Sequence, residues 1–175
     1  EEKVQAEYDN LKYAFGDYYI AKKENKYGII NSSNKTVVPF TYSKINYRKN
    51  AGFIEAEKEG NNVTEILDDK LEKKLEGIIT EVNEKKAYIR VRINDEYKYY
   101  NFKFEEIKSK DVLEGTMFLD KKDGKYGYID KEGNVVVDYI YEDALEQNAY
   151  WYAAVKRDGK WTYIDKEGKT GTSFD

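Results

Sequence analysis

The sequence predicts an all-β fold: an array of five three-stranded antiparallel β-repeat units, open and twisted like a solenoid, with short helical turns in the loops. A closed, propeller-like ring is the alternative arrangement of the same units. Three observations carry this. The stretches KKDGKYGYIDKEGN (Lys121 to Asn134) and KRDGKWTYIDKEGK (Lys156 to Lys169) are near copies set 35 residues apart. KKENKYGIINSSNK (Lys22 to Lys35), VRINDEYKYYN (Val91 to Asn101) and the degraded AEKEGNNVTEILDDK (Ala56 to Lys70) fit the same frame. Finally, an aromatic-x-x-aliphatic tag precedes each hairpin, at Tyr8/Leu11, Tyr42/Ile45, Phe104/Ile107 and Tyr141/Ala144, with Leu75/Ile78 as a weaker version. These tags stand 19, 22, 22, 22 and 20 residues before one aromatic slot, taken as Tyr27, Thr64, Tyr97, Tyr126 and Trp161. Self-similarity at a fixed period is the signature of a repeat architecture. The chain therefore reads as one repeat domain, 1–175, with units near 8–41, 42–74, 75–103, 104–140 and 141–175.

Each element of a unit follows from its letters. Asp123-Gly124 and Asp158-Gly159 sit between alternating residues, and a two-residue type I′ hairpin turn needs the positive φ that Asp-Gly accepts at little cost. Asn94-Asp95, Gly60-Asn61-Asn62 and Glu24-Asn25 take the same place. In the strand that follows, Tyr126 and Tyr128 point one way and Gly127 and Ile129 the other. Glycine weakens a strand, so Gly127 signals a backbone or ring packed close above it. A second turn spans Asp130 to Asn134, matched by Asn31 to Lys35 and Asp165 to Lys169. There an Asp or Asn can close the turn onto its own backbone. A β-branched run follows, Val135-Val136-Val137 or Thr36-Val37-Val38, and the single proline, Pro39, is expected to end that run. The tagged segment then reads as a loop with a turn or two of helix. Leu67, Leu71, Leu75 and Ile78 have helical spacing behind Asp68-Asp69, but the repeat frame favours strand. The last hairpin lacks a valine strand of its own, which leaves two readings: an array cut there, or a first tag that closes a ring.

Composition removes several classes of function. The chain has no Cys and no His, hence no thiolate or imidazole for a metal site, a nucleophile or a Ser-His-Asp triad. Its 30 basic and 34 acidic residues are interspersed, which argues against a nucleic-acid surface. No apolar run reaches the roughly 18 residues of a membrane helix, so no membrane insertion is expected of this segment. The opening EEKVQAEY is charged from its first residue and reads as an interior cut. Acidic pairs such as Glu105-Glu106 and Asp68-Asp69 leave a carboxylate-based glycoside hydrolase as a remote alternative. Asp130-x-Glu132-Gly133 lacks the ligand spacing of a calcium loop, so no metal and no cofactor is expected.

The candidate binding residues are aromatic. Tyr supplies 18 residues of the chain. Tyr18-Tyr19, Tyr99-Tyr100 and Tyr150-Trp151-Tyr152 are adjacent rings read as strand, and alternation sends neighbours to opposite faces. Tyr18, Tyr19, Tyr150, Trp151 and Tyr152 are the expected ligand-binding residues, since outward rings stack on sugars or anchor protein partners.

Asp158-Gly159-Lys160-Trp161-Thr162-Tyr163-Ile164-Asp165, Asp123-Gly124-Lys125-Tyr126-Gly127-Tyr128-Ile129-Asp130 and Lys26-Tyr27-Gly28-Ile29-Ile30-Asn31 resemble the WG (KWG) β-repeat family. Val37-Val38-Pro39 and the Tyr8, Tyr42 and Tyr141 tags extend the resemblance. It covers nearly the whole chain and is weakest between Glu57 and Phe104. A literal Trp-Gly pair does not occur: Trp161 precedes Thr162, and two copies read Tyr-Gly. The resemblance implies an all-β array, found mostly in bacteria and often in exported or surface-attached proteins, with no catalytic residues. The functional expectation is a non-enzymatic binding scaffold, extracytoplasmic, whose partner is a protein or a glycan. A purely structural spacer is the plain alternative.

Overall fold

The computed structural model describes residues 7–94 and 96–171. It divides into two compact units, Glu1–Glu106 and Ile107–Asp175. The first holds three repeats and the second holds two. All three sheets among the described residues are antiparallel meanders, and none closes on itself.

The first unit is a ten-stranded sheet in sequential order. Its strands are β1 (Asn10–Phe15), β2 (Tyr18–Lys23), β3 (Lys26–Asn31), β4 (Thr36–Arg48), β5 (Phe53–Lys58), β6 (Thr64–Leu67), β7 (Lys73–Asn83), β8 (Tyr88–Ile93), β9 (Glu96–Asn101) and β10 (Glu106–Ile107), whose last residue lies past the unit boundary. The second unit carries a four-residue helix, α1 (Ser109–Val112), the sheet β11 (Phe118–Lys122), β12 (Lys125–Ile129), β13 (Val135–Tyr141), and the sheet β14 (Asp143–Ala144), β15 (Ala153–Arg157), β16 (Lys160–Ile164).

Two turns recur as the sequence requires. Glu24-Asn25, Asp123-Gly124 and Asp158-Gly159 all have positive φ at both positions, as type I′ hairpins need. The second turn is built five times on one pattern. The backbone N–H of Asn31, Asp68, Asn101, Asp130 and Asp165 donates to the carbonyl four residues on, at 2.9–3.0 Å. The side-chain Oδ1 of each accepts a backbone N–H from that same fourth residue, at 2.7–3.0 Å. The residue three on has positive φ in every copy: Asn34, Leu71, Phe104, Gly133 and Gly168. The side chain thus supplies the acceptor that a tight turn leaves wanting. Five copies of one turn establish five repeats independently of the aromatic slot.

Register supports the slot itself. Ile30 pairs with Thr36, Leu67 with Lys73, Ile129 with Val135, and Ile164 forms a bridge with Thr170, each six residues on. Thr64, the least obvious slot residue, therefore occupies the place of Tyr27 and Tyr126. Residues 64–67 and 73–83 are strand, not helix. Leu71 of the leucine spacing lies in the Asp68 turn, where its φ is 64°.

Two local expectations are corrected. The tagged segments are not loops: Leu11, Ile45, Ile78, Ile107 and Ala144 all lie in strands. Leu11, Ile45, Ile78 and Ala144 lie opposite the next hairpin, as Ile45 does opposite Ala56, so four of the repeats gain a first strand; Ile107, in β10, extends the sheet of the preceding hairpin instead. Helix is confined to α1 among the described residues. Pro39 does not end its strand either. It lies within β4, where the register shifts between the Ile29–Val38 and Tyr27–Tyr42 pairs. A bulge interrupts the ladder there, so the missing N–H costs little.

The same shift explains the glycine. A Cβ on Gly28 would lie 2.8 Å from the Val38 carbonyl, and one on Gly127 2.6 Å from the Val137 carbonyl. Where the slot is followed by Glu65 instead, β6 and β7 pair residue for residue from Thr64–Gly77 to Ile66–Leu75. Glycine after the slot therefore goes with a bulged closing strand, and a larger residue with a regular one.

The core follows one rule. Each repeat has an aromatic face, holding the slot and the residue two beyond it, and an opposite aliphatic face. Ile20, Ile29 and Val38 of the first aromatic face share a buried cluster with Ile45, Ile54, Ala56 and Leu67 of the second aliphatic face. Phe53 and Ile66 continue onto Ile89, Val91 and Tyr100 in the same way, and Tyr128 and Val137 onto Ala144, Ala153, Val155 and Ile164. Tyr128 is fully buried and its hydroxyl donates to the Leu145 carbonyl at 2.7 Å. Burial pushes that hydroxyl well above the ordinary tyrosine range.

Two outcomes are expected. Gly127→Ala forces Val137 backbone to move and should cost about 1–3 kcal/mol in urea unfolding, whereas Thr162→Ala, at the same place in the last repeat, should cost under about 0.5 kcal/mol. The second concerns Glu76, which accepts from Lys58 at 2.5 Å and Lys73 at 2.8 Å. These ammonium groups lower its carboxyl from 4.5 to about 2. A depressed folded-state value stabilises above the unfolded value and is lost as pH falls through the folded one. Melting temperature should therefore drop between pH 4.5 and about 2, and Glu76→Gln should flatten that acid limb; an unchanged slope contradicts the ion pairs.

Candidate functional site

Tyr150, Trp151 and Tyr152 do not lie on a strand. They occupy a turn between β14 and β15 that repeats the geometry of the five Asx turns. Asn148 N–H donates to the Tyr152 carbonyl at 2.7 Å, and Asn148 Oδ1 accepts from Tyr150 and Tyr152 N–H at 2.9 and 3.1 Å. Trp151 takes the positive-φ position, at 68°. Strand alternation therefore does not place these rings; a side-chain-capped turn does. Gln147 anchors the turn further, its Nε2 donating to the Trp151 carbonyl at 3.0 Å while its Oε1 accepts from Thr116 N–H at 3.1 Å.

The three rings wall a cleft of about 370 Å³ together with Asp165, Lys166 and Glu167. Tyr150 is 80% exposed, and Trp151 and Tyr152 are near half. Asp165 Oδ1 is engaged by Glu167 and Lys169 N–H, and Lys166 lies 3.6 Å from Glu167. The cleft thus offers flat apolar rings beside carboxylates and one ammonium, held on two hydrogen-bonded turns. Such a surface stacks on a ligand face and hydrogen-bonds its edge.

The remaining candidates lie in the first unit. Tyr18 and Tyr19 sit on β2 and point to opposite faces. Tyr18 is half-buried, edge-on to Phe15 at 5.4 Å and packed on the first core cluster. Tyr19 is half-buried and edge-on to Tyr13 at 5.6 Å. Tyr99 and Tyr100 are both buried. The structure therefore gathers Tyr150, Trp151 and Tyr152 into one cleft and gives Tyr18 and Tyr19 places in packing.

Asp165, Lys166, Glu167, Asn148 and Thr116 are cleft or support residues that sequence reasoning passed over. Asn148 was open to detection: Asn148-x-x-Trp151-Tyr152 has the spacing of Asn101-x-x-Phe104-Glu105, the same turn with an aromatic at its positive-φ position. The slot residues Tyr27 and Tyr126 are half-buried against core clusters, whereas Trp161, in the same slot and read in the same frame, is 50% exposed.

The acidic pairs do other work. Asp68 caps a turn and lies 3.1 Å from Lys74, Asn101 Nδ2 donates to Glu105, and Glu106 lies 3.2 Å from Lys98. A second cleft of about 340 Å³ in the first unit holds Glu55, which accepts from Arg48 and Asn46. Among the described residues no group of three or more carboxylates is placed to hold a metal ion. No helix there is long and apolar enough to cross a membrane.

Fold and turns together define an all-β repeat protein. The sequence profile of the WG containing repeat matches residues 27–61 and 126–161, and both matches begin at the aromatic slot. No curated protein matches the sequence. Among solved structures the chain is similar to Kluyveromyces lactis Hsv2, at 12% identity over 88% of this chain and 59% of that one, with a TM-score of 0.30. A form described as KlHsv2 with loop 6CD replaced by a Gly-Ser linker matches at 13% identity over 88% and 61%, with a TM-score of 0.29. The chain spans less than two thirds of the length of either.

Asn148→Ala removes the acceptor of the aromatic turn and should cost about 1 kcal/mol while red-shifting Trp151 emission. Trp161→Ala should cost about 1 kcal/mol or less, against about 3–5 kcal/mol for Tyr128→Ala; chemical denaturation of both variants decides.

Proposed function

We propose that the chain is a non-enzymatic binding scaffold of a bacterial surface or secreted protein, with its ligand, a protein or a glycan, held at the Tyr150-Trp151-Tyr152 cleft. The observation that carries this is a solvent-facing aromatic triad on a hydrogen-bonded turn, a conformation for which the hydrophobic core has no need. Rings presented on a rigid turn lose little side-chain freedom when a ligand lands, which favours Tyr and Trp at recognition sites. The likeness to the WG repeat supports the bacterial, extracytoplasmic setting, and a lysine-, asparagine- and tyrosine-rich composition with only four arginines supports the bacterial origin alone. The engagement of the acidic pairs in turns and ion pairs supports binding over hydrolysis.

The test is a screen of the purified chain against arrayed oligosaccharides and immobilised cell-envelope proteins, repeated with Trp151→Ala and Tyr150→Ala. A ligand bound by the native chain and weakened about thirtyfold or more by Trp151→Ala is expected, the effect of losing roughly 2 kcal/mol at a hot spot. Binding indifferent to both substitutions, or turnover of a glycoside, contradicts the reading.

A further inference from the structure

The second repeat departs from the others at three facing positions. Its slot is Thr64, where Tyr27 and Tyr126 pack half-buried rings on core clusters. Directly opposite the slot the other four repeats carry a cation, Lys22, Arg92, Lys121 and Lys156, and the second carries Glu57. In the first and fourth repeats that lysine sits over the slot ring, 5.8 and 4.7 Å from its centroid. Where the first, fourth and fifth repeats carry Ile20, Leu119 and Ala154 opposite the residue two beyond the slot, the second carries Glu55. Ring and cation are thus lost together, and two carboxylates stand on the face instead. This face and Ile79 to Val82 of β7 line the second cleft, of about 340 Å³. Thr64 is only 8% exposed. Among the described residues its hydroxyl and the charged ends of Lys44 and Glu57 have no hydrogen-bond or ion-pair partner, although Lys44 and Glu57 stand opposite each other on β4 and β5. Glu55 Oε2 accepts from Asn46 Nδ2 at 3.1 Å and from Arg48 Nε at 2.9 Å, which orients a carboxylate whose side chain is 14% exposed.

We infer that this cleft is a binding site for a free α-amino acid with an aliphatic side chain. On its floor β4 presents an ammonium and a guanidinium, Lys44 and Arg48, and β5 presents the carboxylates of Glu55 and Glu57. Neighbouring strands stand about 4.8 Å apart, so the cations and the anions form two adjacent rows. An α-amino acid carries its carboxylate and its ammonium on one carbon, and it answers both rows at once. A simple anion meets Glu55 and Glu57, and a simple cation meets Lys44 and Arg48. A neutral sugar strips water from all of these charges and neutralises none. Thr64 pairs with Glu57 on the side away from Lys44, where its hydroxyl serves as an acceptor for the ligand ammonium. Ile79 and Val82, half-buried on the cluster that holds Phe53 and Ile89, supply the wall for an aliphatic side chain. Ligand clefts run from about 300 Å³ upward, so this one suits a single small molecule. It lies in the first unit and the aromatic cleft in the second, and neither reading depends on the other.

The test is a titration of the native chain with L-leucine, followed by amide chemical shifts and by calorimetry. Leucine is expected to shift the amides of Arg48, Glu57, Thr64 and Val82 with a dissociation constant of about 1 mM or below. Leucinamide lacks the carboxylate and isocaproate lacks the ammonium. Each should bind about tenfold more weakly or worse, the effect of one lost charge-assisted hydrogen bond. Thr64→Tyr returns a ring to the slot and should abolish leucine binding without lowering the melting temperature. Glu57→Gln and Lys44→Gln should each weaken binding about tenfold, and Trp151→Ala should leave it unchanged. Absence of shifts at these amides overturns the inference, as does equal affinity for leucine, leucinamide and isocaproate. Full affinity in both Glu57→Gln and Lys44→Gln also overturns it, since the two charges would then serve only each other. Should Thr64→Tyr not fold, those two variants decide.

Discussion

A single antiparallel meander of three or four short strands has two faces and can solvate only one of them. Everything else in this protein depends on how that constraint is met. Within each unit the aromatic face of one repeat is closed by the aliphatic face of the next, so that Ile29 and Ile54, or Tyr128 and Val155, are fully buried. Stability of this kind is shared between neighbours, as in other repeat arrays. The turns serve it: the hairpin and Asx turns fix the register of each hairpin, which brings the same positions face to face within each unit.

The constraint also sorts residues that look alike in sequence. Tyr128 and Tyr163 occupy one position of the repeat, and only the first is buried, in a cluster with the following repeat's aliphatic residues. Gly28, Gly127 and Glu65 likewise share a position, where glycine goes with a bulged closing strand and Glu65 with a regular one. Function is then expected where equivalent positions are used differently, which is the case for the aromatic cleft.

Much of the fold was legible in the sequence because its signals are local and repeated. Asp-Gly pairs, the aromatic slot and the Asn or Asp opening each second turn fixed hairpins, register and repeat number, including Thr64 in a copy where the aromatic is lost. The tagged segments were misread as loops because a strand that pairs with a distant hairpin carries little alternation of its own. Pro39 misled for a related reason, since a bulge that tolerates a missing N–H leaves no mark in the neighbouring letters. Of the candidate site, the aromatic triad was visible as composition, but its conformation was not. Asn148 decides that conformation through two backbone hydrogen bonds, and the cleft is completed by Asp165, Lys166 and Glu167 from a different turn. Exposure of Trp161 was hidden altogether, because the slot letters look alike whether the ring is half-buried, as at Tyr27 and Tyr126, or exposed, as at Tyr97 and Trp161.

Amide hydrogen exchange, followed residue by residue on the native chain, tests the central claim most directly. If covered aromatic faces carry the stability, the amide of Tyr128 should exchange only through global opening, and that of Tyr163, on an uncovered face, about a hundredfold faster or more. Equal protection at the two positions would show that the closing of one repeat's face by the next is not what holds the fold together.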